Sequence, residues 1–287
     1  MIAAWLLIVG AALSEQQAKQ IVPRADLSGL DDAQRGAFVN VAVEVFNYAG
    51  CQDTLAKCLA ANVKDPHALR MAALVKALLL DGGSADQVIK IVEDYYASFD
   101  PKGRVQPQTD NCAVLGKGPV AIVEFSDYQC PHCAAAVGPL HELVTKEASG
   151  KARLCAKYFP FPSHPRARIA AGCAEYARGR GKFWPVHEAI FAHQGSLEDE
   201  DLKTIAASLK LDGAEMLKQV YAGKFDAIIE KHIREGTAAG VDHTPMLYFN
   251  GRVYNLPDRL FYLLRSVEDE LEWSKRRGFV FDKARRT

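Results

Sequence analysis

Residues 130 to 133 read Cys-Pro-His-Cys, closing the run Phe-Ser-Asp-Tyr-Gln-Cys-Pro-His-Cys that starts at Phe125. Two thiols separated by two residues can form, open and pass on a disulfide when one of them is reactive. Val120 to Phe125 reads as a short buried strand, and Ala134 to about Lys146 reads as a helix. Cys130 therefore falls at a helix N-terminus. Unpaired backbone N–H groups and the helix dipole favour negative charge there, which lowers the thiol pKa and activates the sulfur. Pro131 suits the first helical turn, because its fixed φ is helical and its missing N–H would have no partner. His132 supplies a hydrogen-bond donor or a charge beside the thiolate. Cys133, one turn further in, is placed to attack a mixed disulfide on Cys130. A zinc half-site and a purely structural disulfide use the same pair. Zinc wants four ligands, and no second Cys-x-x-Cys and no His-x-x-x-His occurs in the chain.

Two further positions bear on this chemistry. Glu124 lies inside the apolar strand, six residues before Cys130. A carboxyl there is costly unless it has a task or a partner, and an exposed strand edge is the alternative placement. Thr244-Pro245 opens a strand-like run, Met246 to Phe249, followed by the hairpin signal Asn250-Gly251 and a return over Arg252 to Tyr254.

The stretch Phe125 to Cys133 resembles the active site of the DsbA-type thiol oxidoreductases, including the Pro-His dipeptide between the cysteines. The resemblance spans about residues 105 to 275 and includes Thr244-Pro245 and Glu124. It implies that Pro245 is a cis-proline facing the cysteine pair, with the backbone beside it pairing with substrate. It also implies that Glu124 is a buried acid beneath the pair that helps to move protons. The 115 residues from Cys130 to Pro245 are too many for plain thioredoxin and suit the helical insert of the DsbA type. Residues 165 to 240 read as that insert. Ala167 to Arg178 is Ala-rich and helical, Phe183 to Phe191 is a short amphipathic helix, and Ser196-Leu197-Glu198-Asp199 reads as a capping box. Leu211 to Tyr221 and Phe225 to Gly240 are helical by spacing.

The expected fold class is α/β: a thioredoxin fold with an inserted helical domain over residues 118 to 287, preceded by a small all-α domain. The chain's 287 residues suit two domains, and its apolar fraction of 49% is ample for sizeable cores. Lys+Arg and Asp+Glu stand at 35 each, so net charge gives no sign of nucleic acid. Ile2 to Leu13 is a continuous apolar run too short for an ordinary spanning helix. Residues 1 to 14 are expected to be a secretory signal, with Ala12 and Ser14 near a cleavage point, or an N-terminal anchor; a buried segment is the alternative.

Residues 28 to 98 are expected to form the small helical domain, and residues 99 to 117 a linker. Asp31 to Tyr48 reads as a helix, although Val39, Val41, Val43 and Val45 alternate as in a strand. Asp65-Pro66 starts a helix to Leu80, and Ser84 to Gln87 opens another to about Ser98. Leu69 to Phe99 resembles the helical domain of the thiol-bearing subunit of bacterial cytochrome c maturation. That family carries its own Cys-x-x-Cys, whereas Cys51 and Cys58 here are separated by six residues. A structural disulfide between Cys51 and Cys58 is the favoured reading. Cys112 and Cys155 are a candidate pair across the sheet edge. Cys173, on an Ala-rich helix, reads as a buried free thiol.

The expected activity is thiol–disulfide exchange through Cys130 and Cys133, in a periplasmic or secreted protein. The expected clients are cysteines of exported proteins, a membrane redox partner is implied by the resemblance, and neither cofactor nor metal is expected. The resemblance to the DsbA type, through the Pro-His dipeptide, implies oxidation of clients. Thr244 favours reductase or isomerase work, which would accord with cytochrome c maturation. A client-binding module stapled by Cys130–Cys133 is a reading of a different class.

Overall fold

The computed structural model describes residues 11–61, 65–276, 278 and 279. The expected signal or anchor over residues 1 to 14 lies mostly outside them. The chain divides into two compact units, residues 1–102 with 273–287, and residues 103–272.

The first unit is helical. Its helices are α1 Glu15–Ile21, α2 Asp32–Glu44, α3 Leu55–Ala60, α4 Pro66–Leu80 and α5 Ala85–Ala97. Ser14, Asp31 and Ser84 each close a capping box with a glutamine three residues on, which fixes the starts of α1, α2 and α5. Val39, Val41 and Val43 are helical and Val45 is the extended residue after the helix: the Asp31 cap nucleates α2, and Phe38, Val39, Val41 and Ala42 are all buried. This helix stops at Glu44, short of the expected Tyr48, because Phe46 pairs with Thr54 in an isolated β-bridge. Cys51, in the loop that follows, forms a disulfide with Cys58 of α3. Asp65 caps α4 and also accepts from Asn47 Nδ2 and the Cys51 N–H, both at 2.8 Å. Tyr95, Tyr96, Phe99 and Phe279 pack edge-on or tilted as an aromatic core.

The second unit is built on a five-stranded sheet. Its strands are β1 Ala113–Gly116, β2 Val120–Ser126, β3 Ala152–Tyr158, β4 Met246–Phe249 and β5 Arg252–Val253, in the order β1-β3-β2-β4-β5. Only β2 and β3 run parallel. Central β2 is buried almost throughout, as its near-continuous apolar sequence requires. Asn250 and Gly251, both at positive φ, turn β4 into β5. Residues 99 to 117 are more than a linker. The unit boundary falls after Lys102, and Ala113–Gly116 pairs with β3 as an edge strand. Ladder hydrogen bonds to β3 and the Cys112–Cys155 disulfide order this stretch despite its prolines and glycines. The described residues 273–276, 278 and 279 likewise group with the first unit rather than with the expected 118–287 domain.

Helix α6, Pro131–Glu142, follows β2 and relaxes into one π-helical turn over Leu143–Glu147. Five helices lie between β3 and β4: α7 Ala167–Arg178, α8 Phe183–Ala192, α9 Asp199–Ser208, α10 Gly213–Tyr221 and α11 Asp226–Ala239. The capping box of α9 sits two residues beyond the expected Ser196. Leu197 takes a positive φ, Glu198 is the cap, and its partner is Asp201. The alanine face of α7 packs with Ile190, Ile205 and Leu217 into a core that also holds Tyr128, Cys130 and Cys133. The insert thus packs against both cysteines of the motif. The last helix is α12, Leu260–Arg276.

Candidate active site

Cys130 is the N-cap residue of α6, with extended backbone angles, and Pro131 occupies the first turn. Both Cys130 and Cys133 are free thiols; Cys130 is nearly buried and Cys133 wholly so. A hydrogen bond from the Cys133 thiol, with further help from Thr244 and the backbone N–H groups of residues 132 and 133, pulls the Cys130 pKa down to about 5. Burial pushes Cys133 the other way, reinforced by its bond to Cys130 and by Glu124. The pair is therefore asymmetric: one sulfur is ionised at neutral pH and its neighbour holds the proton. His132 and Pro131 are exposed at the mouth.

The Thr244–Pro245 peptide bond is cis, and both residues are buried beside the cysteines. The protonated Cys130 thiol donates to the Thr244 carbonyl oxygen at 3.1 Å. Glu124 sits in the middle of β2, opposite Ala156 and Leu247, and is fully buried. Its Oε1 has no hydrogen-bond partner. Burial raises its pKa to about 7, where it can both hold and release a proton at neutral pH. The exposed-edge placement is thus not the one adopted. Sequence, strand register and helix start bring Glu124, Cys130, Cys133, Thr244 and Pro245 into one small volume.

Several residues at this site carried no clear signal in the sequence. Asp127 is buried, and its carboxylate accepts from the Gln129 and Phe161 N–H groups and from His164 Nδ1. Gln194, from the loop after α8, donates to the carbonyls of Tyr128 and Cys130. Tyr128 hydrogen-bonds His187, whose pKa burial lowers to about 3. Asp258, raised by burial to about 6, shares the electrostatic field of His243, His132 and Glu124. The position of Asp127 inside the motif was a usable signal, whereas Gln194, His187 and Asp258 arrive only through the chain's path.

The other cysteines lie apart from this chemistry. Cys112 and Cys155 form a disulfide at the sheet edge, and Cys51 and Cys58 one in the helical unit, each with Cα atoms 5.6 Å apart. Cys173 is buried in α7, with its pKa pushed up to about 12. Asp65 lies close to the sulfurs of Cys51 and Cys58, but those sulfurs are bonded to each other and Asp65 already accepts four N–H donors. That cluster does not fit a metal in this state.

A family model described as Thioredoxin matches residues 113–269. Two similar solved structures are the oxidised form of BdbD from Bacillus subtilis and a thioredoxin-like oxidoreductase from Silicibacter pomeroyi. The first has a TM-score of 0.54 and 24% identity, and covers 59% of this chain and 97% of that one. The second has a TM-score of 0.51 and 26% identity, and covers 57% of this chain and 93% of that one. Among curated relatives, the Na(+)/H(+) antiporter NhaA 1 of Salinispora arenicola is 33% identical over 150 residues, 52% of this chain and 22% of the antiporter. NhaA 1 of Mycobacterium sp. strain KMS is 30% identical over 186 residues, 62% of this chain and 30% of the antiporter. The chain thus spans less than a third of the length of these relatives. Among its own described residues, no helix is long and apolar enough to cross a membrane.

Proposed function

The chain belongs to the thioredoxin family, and from that premise we propose that it oxidises cysteines of exported proteins through a Cys130–Cys133 disulfide. It is a thiol–disulfide oxidoreductase. A client thiolate attacks Cys130 Sγ of the disulfide, the Cys130–Cys133 bond breaks, and Cys133 leaves as a thiolate that takes up a proton. Glu124, with a pKa near neutrality, serves as the proton's local donor. A second client thiolate then attacks the client sulfur of the mixed disulfide and releases Cys130 as a thiolate. The client loses two electrons and the cysteine pair gains them.

The observation that carries this reading is the placement of Cys130 as the N-cap residue of α6, where the helix N-terminus favours its thiolate. A thiolate stabilised in the reduced state leaves readily and makes the corresponding disulfide a stronger oxidant. The disulfides Cys51–Cys58 and Cys112–Cys155 accord with an oxidising compartment, periplasmic or secreted. Resetting the reduced pair needs an electron acceptor, and a membrane redox partner is the proposed one.

One observation favours a second reading. Thr244 precedes Pro245, as is common in reductases and isomerases of the wider family, and such work would suit cytochrome c maturation. Equilibration of the pair against glutathione, with Cys130→Ser as the control, separates the two. An oxidising potential supports the disulfide donor, and a strongly reducing one moves the assignment to reductase or isomerase. Insulin reduction no faster than with free dithiol would sink both and leave a stapled binding module.

A further inference from the structure

The turn between β2 and α6 is fastened at every residue. The Asp127 carboxylate is fully buried, and all its bonds go to neighbouring chain: Oδ1 accepts from the Gln129 N–H at 2.7 Å, and Oδ2 from the Phe161 N–H at 2.7 Å and His164 Nδ1 at 2.8 Å. A carboxylate only accepts, so His164 carries its proton on Nδ1. The backbone of the same residue faces the sulfurs. The Asp127 N–H points at Cys133 Sγ at 3.4 Å, and its carbonyl accepts from the Cys130 N–H at 3.1 Å. Gln129 Oε1 accepts from the Arg166 N–H at 2.6 Å, which ties the same two loops a second time. One buried charge therefore clamps the loop carrying Cys130 to the 159–166 loop that follows β3.

We propose that Asp127 is a positioning residue for thiol exchange. Its side chain holds residues 127–130 in the one conformation that places the Asp127 N–H on Cys133 Sγ and leaves Cys130 at the mouth of α6. The inference rests on the thiol-exchange reading above. When a client attacks Cys130, the departing Cys133 thiolate gains negative charge next to that N–H. A fixed donor aimed at developing charge lowers the cost of the step without reorganisation.

Asp127→Asn is nearly isosteric but turns one acceptor into a donor. Whichever way the amide faces, an NH₂ meets a backbone N–H, so at least one fastening is lost. Losing a fastening lets the Asp127 N–H move off Cys133 Sγ, which weakens the reduced pair relative to its disulfide. The experiment compares wild type and Asp127→Asn by glutathione equilibration, by the pH dependence of Cys130 alkylation, and by melting temperature. The expected result is a disulfide about tenfold harder to reduce, with Cys130 titrating at higher pH. A lower melting temperature with both thiol readouts unchanged marks a merely structural role and overturns the inference. If Asp127→Asn does not fold, His164→Ala removes one of the three side-chain bonds. It is expected to shift both readouts in the same direction by less, and unchanged readouts overturn the inference. Absence of exchange in the wild type defeats the functional reading, and this inference with it. Exchange in the wild type with an unaffected variant defeats this inference alone.

Discussion

The Cys130 thiol donates to the Thr244 carbonyl oxygen at 3.1 Å, across 114 residues of chain. Cys130 and the segment before Pro245 are thus in direct hydrogen-bond contact when the thiol is protonated. A client disulfide formed on Cys130 must displace this bond, which leaves the Thr244 carbonyl free to accept from the client backbone instead.

The asymmetry of the two thiols gives a simple chemical prediction. Cys130 alkylation is expected to rise with a midpoint near pH 5, while Cys133 and Cys173 stay unreactive in the folded state. Mass spectrometry of alkylated peptides across a pH series checks it. A midpoint near the ordinary thiol value would remove the basis for the oxidase reading.

Glu124 should make stability depend on pH. Its pKa is raised from 4.5 to about 7 by burial, so below 4.5 the group is neutral whether folded or unfolded and adds no pH dependence. As pH rises from 4.5 to 7, the unfolded chain ionises while the folded one resists, and stability falls. At about 1.4 kcal/mol per pKa unit, the loss is about 3 kcal/mol, complete above pH 7. Glu124→Gln is expected to flatten this slope and to be the more stable protein at pH 8. Denaturant midpoints at pH 4, 6 and 8 test the sign.

Glu270 is fully buried, accepts from Arg252 Nε at 2.6 Å, and is gripped by both terminal nitrogens of Arg104. Removing its charge takes a buried counter-charge away from two guanidinium groups. Glu270→Gln is expected to cost about 3–5 kcal/mol, read as a fall in the urea midpoint. A change under about 1 kcal/mol would mean that water reaches the arginines.

The two structural disulfides should differ in weight. Cys112–Cys155 closes a loop of sequence separation 43 and Cys51–Cys58 one of 7. Loop-closure entropy then assigns about 4 kcal/mol to the first and about 2 kcal/mol to the second. Cys112→Ala/Cys155→Ala is expected to be the less stable double variant in urea, and the reverse order would show that strain or residual structure outweighs the entropy.

Local signals in the sequence determined the helices that carry their own caps and the chemistry of Cys-Pro-His-Cys. Ser84 with Gln87, Asp65 with Pro66, and a cysteine pair at a strand-to-helix junction are short-range patterns whose physics is complete within a few residues. The insert was legible for the same reason, since the apolar spacing of Ala167 to Arg178 and Phe183 to Phe191 marks a helix face. Signals that depend on a partner were not legible. β1 looks like linker until β3 is beside it. The helix over Pro66–Leu80 could be drawn from sequence; α3 and α12 carry weaker local signals, the Thr54 cap and the helical spacing of Leu263 and Val267.

Tertiary structure alone decided the electrostatics of the site. Glu124 is an acid in a strand until the sheet and its covering helices remove water from it, and only then does its pKa approach neutrality. Asp127 is one more polar residue in a turn until Phe161 and His164 are folded onto it from 34 and 37 residues away. A pKa and a hydrogen-bond geometry belong to what surrounds a group in space, and residues adjacent in sequence supply only part of those surroundings.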